Sequence, residues 1–112
     1  MSTISTHVLD VSRGRPAEGV PVALEKQDGK EWRPLSIGKT NADGRLKDLV
    51  PGGHALQAGV YRLSFDTAVY FEAHSQNAFY PVVQVIFEVA ASQHYHVPLL
   101  LSPFGYSTYR GS

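Results

Sequence analysis

Apolar residues in this chain fall into short runs rich in Val, Ile, Leu and aromatic side chains, cut repeatedly by Gly, Pro, Asn and Asp. Such runs predict short strands joined by turns, and an all-β sandwich or barrel. The first strand is expected over Ile4–Asp10, followed by a loop from Ser12 to Gly19 marked by Gly14, Pro16 and Gly19. Val20–Gln27 reads as a second strand, because Val20, Val22 and Leu24 share one face. Asp28-Gly29 is a hairpin turn, and Glu31–Thr40 returns as a third strand. Pro34 within it removes a ladder donor and predicts an edge position or a bulge.

Asn41-Ala42-Asp43-Gly44 turns the chain into a short strand that starts at Arg45-Leu46, and Pro51-Gly52-Gly53 breaks it again. Val60–Phe65 is the next strand. Asp66 is placed to cap a short helix over Thr67–Ala73. Tyr80–Val89 reads as the longest strand, and His94–Leu101 pairs next. Ser102-Pro103-Phe104-Gly105 turns into a final strand over Tyr106–Ser112, giving about eight strands and one helix.

A length of 112 residues suits a single domain spanning the chain, and one this small buries only part of its surface alone, which leaves oligomerisation open. Hydrophobic residues at 43% and charged residues at 18% indicate a globular rather than a disordered chain. The formal net charge of zero offers no basic excess to follow a phosphate backbone, so nucleic acid is not an expected partner. The absence of cysteine removes disulfides, thiolate nucleophiles and Cys-type zinc sites. Met1–His7 has neither the basic nor the apolar part of a signal peptide, and no apolar run approaches a membrane span. A cytoplasmic location is therefore expected, with no membrane partner. The end Arg-Gly-Ser differs from the peroxisomal Ser-Lys-Leu address.

Candidate chemistry rests first on five histidines, His7, His54, His74, His94 and His96, since imidazole titrates nearest neutrality. His94 and His96 stand two apart on a strand and share a face. Taken singly, a strand histidine is more often a hydrogen-bonded surface residue than a catalyst, and His54 and His74 are assigned no role. His-x-His with His7 is also a conceivable zinc set, but no HExxH motif or diagnostic carboxylate spacing accompanies it, so the metal-free reading is preferred. Arg45, at a strand start, can hold a planar ligand through its forked donors or stand as a solvated strand-end charge. Tyr109-Arg110-Gly111-Ser112 either frays or lines a pocket. Ser5, Ser107 and Ser112 have no GxSxG context and no spacing that fixes a triad. No phosphate-binding or dinucleotide fingerprint is present. The residues alone leave an enzyme, a binding module for an aromatic small molecule and a metalloprotein all open.

Three segments carry a more specific signal. Ile4-Ser5-Thr6-His7-Val8-Leu9-Asp10 with Gly14-Arg15-Pro16-Ala17-Glu18-Gly19-Val20, then Thr40-Asn41-Ala42-Asp43-Gly44-Arg45-Leu46, then the block from His94-Tyr95-His96-Val97-Pro98 through Ser102-Pro103-Phe104-Gly105-Tyr106 to Tyr109-Arg110-Gly111-Ser112, resemble the 5-hydroxyisourate hydrolases of the transthyretin-like family. Val11 departs from the threonine more usual there. The resemblance implies a transthyretin-like sandwich of two four-stranded sheets with one short helix. It implies a homotetramer, a dimer of dimers, with active sites in the channel between dimers. It also implies hydrolysis of 5-hydroxyisourate to 2-oxo-4-hydroxy-4-carboxy-5-ureidoimidazoline in urate catabolism, without cofactor or metal. The family's catalytic residues fall on His7, His96 and Arg45, and its substrate-binding residues on His7, Arg45, Tyr109, Arg110, Gly111 and Ser112. In this picture His7 or His96 activates water, the other orients it or protonates the leaving nitrogen, and Arg45 stabilises developing negative charge. Hormone-binding transthyretins share the fold but replace the key polar residues of this set.

Overall fold

The computed structural model describes residues 3–51, 56–90 and 93–112, so His54 and the Gly52-Gly53 break lie outside the described residues. Strand β1, Thr3–Asp10, sets the pattern: Ile4, Thr6 and Val8 turn inward and are buried, while Thr3, His7 and Leu9 stay partly exposed on the other face. The other strands are β2 (Arg15–Pro16), β3 (Pro21–Asp28), β4 (Glu31–Lys39), β5 (Arg45–Leu46), β6 (Gly59–Phe65), β7 (Val83–Val89), β8 (His94–Ser102) and β9 (Gly105–Thr108), with helix α1 at Thr67–Ala73.

They form two sheets. One runs β2-β1-β8-β9 with β5 also on β1, and the other runs β4-β3-β6-β7. The expected transthyretin-like sandwich with one helix is present. The first sheet counts five strands because β1's outer edge is shared by two short pieces: β2 against Leu9 and Asp10, β5 against Thr6 and His7. The extra piece, β2, lies within the loop expected over residues 12–19. β1 and β8 pair in parallel from Thr3↔His94 to Asp10↔Leu101, joining the two halves of the sequence.

Side chains from both sheets meet in one core. Ile4, Leu24, Tyr61, Leu63, Phe65, Phe71, Leu99 and Leu101 are its largest fully buried members. Each aliphatic or phenyl side chain so buried contributes ~1.5–3 kcal/mol against the unfolded chain. Asp66 caps α1 as expected, its Oδ1 accepting the Val69 N–H at 3.3 Å. The helix lays Tyr70 over the end of β1, where its hydroxyl donates to the fully buried Asp10 carboxylate at 2.7 Å. Ser12 and the Arg13 N–H donate to the other Asp10 oxygen, at 2.7 and 3.1 Å. Three donors thus satisfy the buried carboxylate.

Pro34 meets both readings. β4 is an edge strand, and the β3–β4 register slips between Leu24 and Glu25, so that Glu25 faces Pro34 and Leu24 faces Ser36. Two strand expectations need correction. β7 begins at Val83 rather than Tyr80 and is shorter than β4 and β8, which have nine residues each. The Tyr80 carbonyl accepts the Thr67 hydroxyl at 2.6 Å and the Pro81 carbonyl accepts the Ala68 N–H at 3.0 Å, so these residues hold the helix instead. The last strand stops at Thr108, which pairs with Leu99, because the next residue across the ladder, Pro98, has no N–H to continue it. The register resumes beyond that gap as a single bridge between His96 and Gly111. No helix is long and apolar enough to cross a membrane among the described residues.

Candidate active site

The pairing of β1 with its neighbours gathers the polar residues of the first sheet. Parallel register sets Ser5 beside His96 and Thr3 beside His94, and antiparallel register sets Arg45 beside His7. The turn before Arg45 is held by Asn41, whose side-chain oxygen accepts the Asp43 and Arg45 N–H groups at 2.9 and 3.0 Å. Gly44 in that turn has φ +73°, and a Cβ there would lie 2.4 Å from the Val8 carbonyl oxygen. Glycine is therefore required both for the left-handed backbone and for the approach that brings Arg45 onto β1.

His96 is the most constrained of the group. Its Nδ1 is 2.8 Å from Ser5 Oγ, and its carbonyl accepts the Gly111 N–H at 2.8 Å. The same Ser5 Oγ lies 3.1 Å from His94 Nε2, and Thr3 hydrogen-bonds His94 Nδ1. The two imidazoles are nearly parallel, 16° apart in plane with centroids 6.3 Å apart. Burial holds His96 below the ordinary histidine value of 6.5, and the Arg45 charge, His94 and His7 push in the same direction. An imidazole so placed is neutral near pH 7 and able to accept a proton.

These residues border a cleft of about 300 Å³ whose walls include Ser5, Arg45, His94, His96 and Ser112. That volume is at the small end of small-molecule sites. Lys47 and Asp48 add opposite charges to its wall. A larger groove of about 590 Å³ lies on the second sheet beside Ala23, Ile37 and Val82, but its lining is mainly apolar and holds no histidine. The smaller cleft is the one equipped for acid–base chemistry.

Of the residues singled out in the sequence, Arg45, His96 and Ser112 border the cleft, Gly111 packs behind His96, and His7 stands next to Arg45 in register. Tyr109 and Arg110 line a neighbouring groove of about 250 Å³ against Val85–Glu88, which His96 also borders. The Arg110 guanidinium sits 4.9 Å from the centre of the Tyr95 ring. His74 lies far from the cluster, against Tyr70 and Arg13 at the helix end. Nothing local in the sequence marks Thr3, Lys47 or Asp48: Thr3 meets His94 through the β1–β8 register, and Lys47 and Asp48 reach the cleft wall as the residues that follow β5. Among the described residues, no three His, Asp or Glu side chains are grouped closely enough to hold a metal ion.

Residues 4–111 match the HIUase/Transthyretin family. The 5-hydroxyisourate hydrolase of Salmonella dublin is 47% identical over 110 residues, covering 97% of this chain and 80% of that protein. The enzyme of the same name from Mus musculus is 42% identical over 114 residues, covering 99% and 96%. Among solved structures, 5-hydroxyisourate hydrolase from Klebsiella pneumoniae superposes with a TM-score of 0.87 at 39% identity over the whole of both chains. Sea bream transthyretin in complex with thyroxine gives 0.89 at 32% identity, covering 96% of this chain and 93% of that one. The hydrolase and the thyroxine-bound transthyretin thus fit the backbone equally well, and function has to be argued from the site. On sequence and backbone together, the chain belongs to the HIUase/transthyretin family.

Proposed function

We propose that this protein is a 5-hydroxyisourate hydrolase of urate degradation, and that its site is the cleft bordered by His96, Arg45 and Ser112. The observation that carries the reading is His96 itself, clamped by Ser5 and Gly111 and kept neutral by burial and by Arg45. The relatives named for this activity support it. The substrate is a planar, electron-poor bicycle. Arg45 binds its oxygens through paired N–H groups and stabilises the oxyanion formed when water adds to a ring carbonyl. His96 takes the proton from that water. The C–N bond then breaks towards nitrogen, and the proton is delivered to the nitrogen, yielding 2-oxo-4-hydroxy-4-carboxy-5-ureidoimidazoline. His7, beside Arg45, orients the water or assists that delivery. Ser112 and the Tyr109–Gly111 segment position the substrate.

The cleft faces away from the core and one chain leaves it open on a side, which favours closure by a second copy. Ile86 on the edge strand β7 and Tyr106 on β9 are 59% and 44% exposed, large apolar contacts at neighbouring edges. A homotetramer built as a dimer of dimers would use these edges within each dimer and enclose the clefts between dimers.

The test is accelerated loss of 5-hydroxyisourate, made freshly from urate, over its spontaneous decay. Acceleration that disappears in His96→Ala establishes the activity and its site. A folded protein that gives no acceleration overturns the reading in favour of a carrier of aromatic ligands.

A further inference from the structure

We propose that His94, acting through Ser5, is a positioning residue for His96, and that the three side chains form a short proton relay. The inference rests on the reading of His96 as the base and extends it to two residues that would not touch the substrate carbonyl.

Ser5 Oγ lies between the two rings, 2.8 Å from His96 Nδ1 and 3.1 Å from His94 Nε2. A hydroxyl has one proton and cannot donate to both nitrogens. The two rings therefore cannot choose their tautomers independently. When His96 carries its proton on Nδ1, Ser5 accepts it and donates onward to His94 Nε2. His94 then holds its own proton on Nδ1, directed to the Thr3 hydroxyl with which that nitrogen is bonded. In this polarity His96 Nε2 offers a lone pair and is a base. In the reverse polarity Thr3 donates to His94, His94 to Ser5 and Ser5 to His96 Nδ1, leaving a proton on Nε2, and His96 is an acid. The direction of one hydrogen-bond chain sets which role His96 plays.

The same chain moves charge during turnover. As the water oxygen bonds to the ring carbonyl carbon, the water proton passes to His96 Nε2. The Nδ1 proton of His96 passes to Ser5 Oγ, and the Ser5 hydroxyl proton passes to His94 Nε2. His96 is neutral again, and the positive charge rests on His94, which is exposed where His96 is half-buried. A charge in contact with water costs less than one beside Arg45. When the C–N bond breaks and its electron pair moves to nitrogen, the protons return along the chain and Nε2 protonates the leaving nitrogen. One water is consumed, its hydroxyl on carbon and its proton on nitrogen. Ser5 is only 6% exposed, so its hydroxyl depends on these partners rather than on solvent.

The experiment compares wild type with Ser5→Ala, Ser5→Thr, His94→Gln and the double variant Ser5→Ala/His94→Gln. kcat and KM are read across pH, and the ring nitrogens of His96 are observed by NMR without substrate. Glutamine keeps a hydrogen-bonding group near Ser5 but cannot hold the proton. The groups that face His96 and also shape its profile are His7 on β1, Arg45 on β5, Lys47 and Asp48 after it, and His94 on β8. The relay predicts that Ser5→Ala and His94→Gln each lower kcat about tenfold or more with KM little changed. It predicts that the double variant is no slower than the slower single one, because one chain has been cut twice. Ser5→Thr, which restores a hydroxyl, recovers kcat relative to Ser5→Ala, and the His96 tautomer balance changes in Ser5→Ala. Wild-type kcat in His94→Gln, losses that multiply in the double variant, or losses confined to KM overturn it. Tautomer coupling seen by NMR in a protein with no hydrolase activity would uphold the coupling and overturn the functional reading instead.

Discussion

Gly111 sets its backbone against the His96 ring so closely that a Cβ on it would lie 2.5 Å from His96 Cδ2, while its N–H holds the His96 carbonyl at 2.8 Å. The glycine is thus a template for the ring. Gly111→Ala is expected to displace the imidazole and lower kcat about a hundredfold, the scale of an acid–base group taken out of alignment. Because Gly111 lies beyond the last strand, the melting temperature should hardly move. Steady-state kinetics and a thermal melt on the same sample separate the two effects, and an alanine variant with full activity would remove the glycine from the site.

The depressed His96 value fixes the acid limb of the rate. With His96 as the proposed base, its neutral imidazole would be the active form, so kcat/KM should be level above pH 6.5 and fall only as pH drops below that value towards the folded-state one. Arg45→Gln removes the largest charge contribution and should move the His96 titration, followed by NMR, upward towards 6.5. An unmoved titration would mean that burial and the neighbouring histidines set it without Arg45. The linkage to stability has a definite sign as well. The unfolded chain binds the proton more readily, so this group lowers stability as pH falls below 6.5.

Arg45 separates charge from shape. Arg45→Lys keeps the cation but loses the planar fork and should lower kcat/KM about a hundredfold. Arg45 is exposed on a two-residue strand, so denaturant melts should shift by less than about 0.5 kcal/mol. Retention of wild-type kcat/KM in the lysine variant would mean that Arg45 serves only as a diffuse positive charge.

Away from the cleft, the Asp10–Tyr70 contact predicts a stability effect. Tyr70→Phe leaves a buried carboxylate oxygen without its 2.7 Å donor and should cost ~1–3 kcal/mol in a urea titration. Burial, then the Asp10 hydrogen bond, raises the Tyr70 hydroxyl above its ordinary value of 10.0. Wild type should therefore lose stability as pH rises past 10.0, because the unfolded chain gives up that proton first. The phenylalanine variant should lack this alkaline component.

Features governed by near neighbours were legible in the sequence. Asp66 caps its helix, Pro34 sits at an edge and a bulge, and His94 and His96 share a face because each depends on residues a few positions away. The motif block at the end carries the resemblance that points to His96 and Ser112, and both border the cleft. What escaped was contact between distant segments. No spacing in the sequence pairs Ser5 with a histidine, since its partners lie 89 and 91 residues on. Tyr80 and Pro81 read as strand because their apolar pattern does not reveal that the helix takes their carbonyls. Tyr109 and Arg110 read as strand because the gap at Pro98 acts across the sheet rather than along the chain.

The parallel union of β1 with β8 also dates the birth of catalysis within folding. β3 and β4 form a hairpin, and β6 and β7 join the same sheet without help from the first strand. Ser5 and His96 meet only when a segment 91 residues downstream docks along β1, one of the costliest loop closures the chain can make. Strand content should therefore return early on refolding and activity late. A nascent or partly folded chain holds its histidines apart, chemically silent, until that final docking brings them together.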